Sequence, residues 1–158
     1  MRILYVHASK FGNGAAVAEE FRNQMAAKGA AVDVRHVRDA RPREIPPADL
    51  YVFSSPGRMG RPIGGMRRFL KKARLPPGSR YAILSTQGAP RPDANGRMPS
   101  AEELARWQRI IPVMREILQA KGLVSVAEDT VLVTGMKGPL EEGWREKVQA
   151  FAARMPAG

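Results

Sequence analysis

His7-Ala8-Ser9-Lys10-Phe11-Gly12-Asn13-Gly14 is a polar, glycine-containing turn set between an apolar run and an amphipathic one. Ahead of it, Ile3-Leu4-Tyr5-Val6 has the length and the β-branched or aromatic character of a buried strand. Behind it, Val17, Ala18, Phe21 and Met25 recur at helical spacing. The stretch therefore reads strand, turn, helix. A turn so placed aims successive backbone N–H groups, and the positive end of a helix dipole, at one spot outside the carboxyl end of the strand. That makes an anion site, most economically a phosphate site. The turn alone also suits a plain βα connection whose Gly and Asn only relieve backbone strain.

Working outward, the first helix is expected from about Ala15 to Lys28, with Gly29 as its stop. Ala31 to Val37 alternates apolar and polar, which predicts a half-buried strand at a sheet edge with His36 on the solvated phase. Residues 38–48 carry three prolines and little periodicity, so the second helix of a regular doubly wound fold is expected to be short or missing. Asp49 to Ser54 reads as a central parallel strand. Ile63, Met66, Phe69, Leu70 and Ala73 then mark an amphipathic helix that ends before Pro76-Pro77-Gly78. Tyr81 to Thr86 is the next strand, followed by a polar loop to Pro99. Ser100 and Glu103 form a capping box for a long helix kinked by Pro112, with Leu104, Trp107, Ile110, Ile111, Met114, Ile117 and Leu118 on one face. Thr130 to Thr134 supplies the last strand. Trp144, Val148, Phe151 and Met155 give the last helix its stripe, and both tryptophans are expected in the core.

At 158 residues the chain suits a single domain, 1–158, with a real core. It has no apolar run long enough to span a membrane, and Met1-Arg2 leads into too short an apolar stretch for a signal peptide, so a cytoplasmic location is the default expectation. With no cysteine, disulfides, thiolate nucleophiles and thiolate metal ligands are excluded, and two histidines are too few for a histidine metal cluster. The net charge of +11 comes mostly from 19 arginines against 7 lysines. The cations are spread along the chain and are not interleaved with aromatics, which disfavours nucleic acid as the partner.

Five strands alternating with mostly helical connections predict an α/β fold: a parallel sheet covered on both faces. Ligands bind such sheets outside the carboxyl ends of the strands, where strand order reverses. In the order 2-1-3-4-5 the loops after the first, third and fourth strands meet there. These are the glycine-bearing polar loops of this chain.

In element order, and in Ser9-Lys10-Phe11-Gly12-Asn13-Gly14 above all, the chain resembles the flavodoxin family, whose phosphate loop typically reads Ser/Thr-x-Thr-Gly-Asn-Thr. Ser9, Gly12 and Asn13 match that pattern; Phe11 and Gly14 each replace a Thr. The resemblance implies a flavodoxin-like three-layer sandwich with a five-stranded parallel sheet of order 2-1-3-4-5 and FMN as cofactor. Ser9 to Gly14 would hold the phosphate mainly through backbone amides, with Lys10 a further point charge. Ser55-Pro56-Gly57-Arg58-Met59-Gly60 is similar to the family's flavin-edge loop, in which a Met packs on the ring and the following Gly lets a peptide turn toward it. Thr86-Gln87-Gly88-Ala89 would line the pyrimidine edge, in a loop without the aromatic that family members often place there.

No acid, base or nucleophile emerges from these loops, so the resemblance implies an FMN protein carrying electrons between redox partners. Residues 58–74 hold seven basic side chains and no acid, which implies an acidic or anionic redox partner and a raised potential for the fully reduced flavin. Two other readings stand beside it. One is a flavodoxin-like oxidoreductase of the quinone or protoporphyrinogen type; the other is a module that has lost FMN and binds another anion or a protein.

Overall fold

Residues 1–156 are described by a computed structural model. Strand β1 (Arg2–His7) is apolar on both faces and lies between β2 (Ala31–His36) and β3 (Leu50–Ser54), all parallel. Beyond β3 come β6 (Arg80–Gly88) and β7 (Val124–Val133), giving a five-stranded sheet of order β2-β1-β3-β6-β7. The remaining strands, β4 (Gly57–Arg58) and β5 (Arg61–Pro62), form a separate small antiparallel hairpin. Leaving that hairpin aside, the order is the expected 2-1-3-4-5. The alternation of side chains along each strand builds two cores. Ile3, Tyr5, Val52 and Leu84 pack beneath helices α1 (Asn13–Ala26) and α5 (Trp144–Ala153). Leu4, Val6, Phe53 and Ile83 pack beneath α2 (Gly64–Lys72) and α4 (Ile110–Ala120).

The segment after β2 forms only a single 3-10 turn, Val37–Asp39, as its prolines dictate. Three expectations need correction. The helix drawn through Pro112 is two helices, α3 (Ala101–Trp107) and α4, broken at Gln108 and Arg109. Pro112 sits in the first turn of α4, where its missing N–H costs nothing. The break turns Trp107 outward, so it is 54% exposed and outside the core, whereas Trp144 does pack against the α1/α5 core. The last strand is also longer than its apolar run suggested. Val124 to Asp129 pair with β6 despite being partly polar, because an edge strand has one neighbour and wetter faces. Among the described residues no helix is long and apolar enough to cross a membrane.

Candidate functional site

The first loop leaves the sheet beside β3, with Ala8 N–H donating to Ser54 O at 3.1 Å. Both peptide groups of Ser9 are then held by histidines. Ser9 N–H donates to His7 Nδ1 at 3.2 Å, and Ser9 O accepts from His36 Nε2 at 2.9 Å. His36 Nδ1 accepts from Arg38 N–H, which fixes the proton on Nε2. The two rings meet edge to face, 5.1 Å apart. His36 is thus a brace for the loop, not the solvated edge residue its strand phase suggested; β2 ends there and the ring turns back across the top of β1. Burial lowers the His7 pKa to about 4, with the nearby His36 ring and the Arg38 guanidinium acting in the same direction, so His7 is a neutral acceptor at pH 7.

Ser9 Oγ accepts from Gly12 N–H at 3.1 Å, which closes the turn and leaves the hydroxyl proton free. Gly12, at φ 91°, takes the left-handed conformation needed to enter α1, and no side chain caps that helix. Its first backbone N–H groups therefore point at the loop mouth without an intrahelical partner.

The second loop is tied at its base by Ser55, whose Oγ donates to Pro56 O at 2.8 Å and accepts from Ile63 N–H at 3.1 Å. Between these ends the β4–β5 hairpin turns through Met59 and Gly60, both at positive φ (51° and 73°), as a tight two-residue hairpin requires. Gly60 is pressed against the α3–α4 break: its O accepts from Arg109 N–H at 2.7 Å, and a Cβ there would overlap the Trp107 carbonyl. The Arg61 guanidinium donates to Trp107 O at 3.1 Å. So Pro56, Gly57 and Arg58 face the crevice, whereas Ser55, Met59 and Gly60 do not line it. Met59 projects into solvent, 76% exposed.

Thr86, Gln87, Gly88 and Ala89 all line the crevice, but not as a free loop. Pairing with β7 carries β6 on to Gly88, and Ala89 N–H donates to Val133 O at 2.8 Å. Ser9, Lys10, Phe11, Asn13 and Gly14 form the facing wall, and Gly12 does not line it. Three loops named from the sequence thus converge on one crevice of about 600 Å³.

A fourth wall was missed. Val133 at the end of β7 and Gly135 and Met136 after it, with Gln108 from the helix break, complete the crevice. The signal was present in Gly135-Met136-Lys137-Gly138, a polar glycine-bearing loop like the other three. It is docked to the first, with Asn13 Nδ2 donating to Lys137 O at 3.1 Å and Lys137 Nζ 5.4 Å from the Phe11 ring centre. Phe11 and Met136, 56% and 81% exposed, therefore supply apolar surface where the β6 loop has no aromatic. Lys10, Arg58 and Arg91 line the crevice, and among the described residues no carboxylate does. Such a site can hold an anionic group at the α1 end beside a flat apolar moiety. Among the described residues, no three His, Asp or Glu side chains gather into a metal site.

No protein-family model matches the sequence, and a search of curated proteins finds no match either. Solved structures do match the fold. A short-chain flavodoxin associated with a non-canonical PDU bacterial microcompartment superposes with a TM-score of 0.73 at 15% identity, over 98% of this chain and 95% of that one. A flavodoxin of Streptococcus pneumonia TIGR4 gives 0.68 at 18% identity, over 98% and 97%. The rubredoxin oxygen:oxidoreductase of Desulfovibrio gigas gives 0.72 at 12% identity; 97% of this chain is covered but only 34% of that longer one. The fold is flavodoxin-like.

Proposed function

We propose that the protein binds FMN in the four-walled crevice and carries electrons between redox partners. The observation that supports this most is the crevice itself: about 600 Å³ at the switch point of the sheet, walled among the described residues by three cationic residues and no carboxylate, with the uncapped N-terminus of α1 at one end. The residues fit the cofactor. Gly14 leaves Ser9 Cβ only 3.1 Å from where its own Cβ would stand, so the loop is closed tightly enough for backbone amides to converge. No acidic side chain lies in the first turn of α1 to compete with a phosphate.

Ser9 to Gly14 would hold the phosphate through N–H groups and the free Ser9 hydroxyl proton, with Lys10 adding charge. Pro56, Gly57 and Arg58 with Thr86 to Ala89 would hold the ring system, and Phe11 and Met136 would shield it from water. Bound FMN supplies the one- or two-electron chemistry. This chain supplies position and a positive field, which favours an anionic reduced state. Partner proteins reach the site from the open side of the crevice.

The absorbance spectrum of the purified protein, repeated after incubation with FMN and desalting, tests the reading. Flavin bands that are released on denaturation support it. A colourless protein that retains no flavin sinks it in favour of an FMN-free anion-binding module. Turnover with NAD(P)H and quinones in the loaded protein would move the assignment from carrier to oxidoreductase.

A further inference from the structure

The cations of residues 58–74 are not neutralised by the fold. Among the described residues eight ion pairs stitch other parts of the surface together, and none of them involves Arg58, Arg61, Arg67, Arg68, Lys71, Lys72 or Arg74. All but the half-buried Arg61 are exposed. Their placement also runs against local stability at one end of α2. The Arg68 and Arg67 guanidinium groups fold back over the first turn of that helix, within 3.1 and 3.9 Å of the Cβ position of Gly64. That turn carries no acid to offset them. Cations there meet the positive end of the helix dipole, which disfavours them. Gly64 leaves the space that Arg68 occupies. Helix stability gives no reason for two arginines at this spot.

The same edge of the molecule carries unusual apolar exposure. Met59 is 76% exposed at the hairpin tip and Trp107 is 54% exposed at the helix break, and Gly60, packed on Trp107, joins them. Arg61 and Arg109 fix this junction through backbone hydrogen bonds, so both side chains are presented on rigid structure. Ile63, between the hairpin and α2, lines the crevice. Exposed Met59 and Trp107, flanked in the hairpin by Arg58 and Arg61 and followed along the chain by the cations of α2, lie beside a ligand crevice and have the make-up of a docking face with an anchor and a charged rim. Its charge calls for an acidic partner, and its aromatic is a single anchor, whereas a nucleic-acid platform stacks successive bases.

We propose that Met59 and Trp107, together with Arg58, Arg61, Arg67 and Arg68, form the docking face for an acidic electron-transfer protein, and that Lys71 and Lys72 steer its approach. This rests on the reading of the crevice as a redox site, but the face itself is present with or without a cofactor. Electron transfer then needs no movement of the chain, since the partner seats at the crevice rim.

The test uses a plant-type [2Fe–2S] ferredoxin as the acidic probe, titrated by calorimetry into the full chain, both FMN-loaded and FMN-free. Binding is expected at an ionic strength of about 0.02 M and should weaken at least about tenfold by roughly 0.3 M as the charges are screened. Arg67→Glu/Arg68→Glu should weaken it by at least about tenfold at low salt without altering FMN affinity. The reversed charges suit the helix dipole, so folding is preserved. Arg2→Glu/Arg80→Glu, an equal change at the opposite end of the sheet, should cost less than about threefold because the altered charges are distant. Ferredoxin binding that is absent, or that responds equally to the two double variants, overturns the proposal. So does tighter binding of a single-stranded oligonucleotide that Arg67→Glu/Arg68→Glu abolishes. A protein that takes no FMN yet binds ferredoxin through this face sinks the flavin reading and keeps the docking face; a flavin-loaded protein indifferent to ferredoxin does the reverse.

Discussion

The imidazole of His36 donates through Nε2 to the carbonyl of Ser9 at 2.9 Å, and this bond ties an edge strand to the loop that opens the crevice. His7 takes the N–H of the same serine from the other side at 3.2 Å. Ser9 is therefore fixed at both peptide groups before any ligand arrives. Preorganisation of that kind lowers the ordering cost of binding.

Burial of His7 makes the stability of the fold pH-dependent. His7 has a pKa near 4 in the folded chain against an ordinary 6.5, so the unfolded chain binds its proton first. The stability contributed by keeping His7 neutral is complete above about pH 6.5 and is lost as pH falls from there to about 4, by up to roughly 2–3 kcal/mol. Denaturant titrations between pH 7.5 and 4 should show this decline. His7→Asn, whose carboxamide oxygen can accept the Ser9 N–H, should flatten it.

Loss of the opposite brace has a different signature. His36→Leu removes one hydrogen bond to a half-buried carbonyl and should cost about 1 kcal/mol of stability, with FMN binding weakened roughly fivefold. The change should appear in the flavin dissociation rate, because the loop opens more easily.

Within the loop, backbone should matter more than hydroxyl. Ser9→Ala removes the Oγ that accepts from the exposed Gly12 N–H, which water can replace, and one phosphate donor among several backbone N–H groups, so FMN affinity should fall by about tenfold. Gly14→Val drives a branched side chain into Ser9 Cβ, only 3.1 Å from the first added carbon, and should abolish binding. Equilibrium titration of the two variants separates these outcomes.

Two glycines at positive φ should respond unequally to alanine. Gly12, at φ 91°, has open space around its Cβ position, so Gly12→Ala carries only conformational strain of about 1 kcal/mol. Gly60, at φ 73°, adds overlap with the Trp107 carbonyl, and Gly60→Ala should cost roughly 3 kcal/mol or more. Chemical denaturation of both proteins checks the difference.

The sheet was legible because its central strands are continuous apolar runs, and 3–6, 50–53 and 81–84 have few other ways to be buried. Convergence of three loops followed from parallel strands alone. Features set by contacts between distant segments were not legible. Trp107 lies on a helical stripe in the sequence, but the chain breaks at Gln108, where the Gly60 carbonyl and Arg61 hold the exposed peptide groups of the break. The two-residue strands β4 and β5 are too short to leave a period. Val124 to Asp129 look polar for a strand and are recruited by pairing with β6. Likewise the phase of β2 put His36 outward, and only the turn at Val37–Asp39 brings its ring over Ser9. Met136 follows the edge strand β7, whose carboxyl end lies outside the point where the strand order reverses, so only the docking of its loop onto Asn13 and Phe11 brings it to the crevice.

In the proposed crevice the phosphate of FMN contributes to binding as well as its ring. Parallel fluorescence titrations of the flavin-free protein with FMN and with riboflavin test it most directly. Saturable one-to-one binding is predicted, with FMN favoured over riboflavin by about a hundredfold, the scale of a phosphate held by several charge-assisted hydrogen bonds. Equal affinities for the two flavins, or no saturable binding of either, would contradict it.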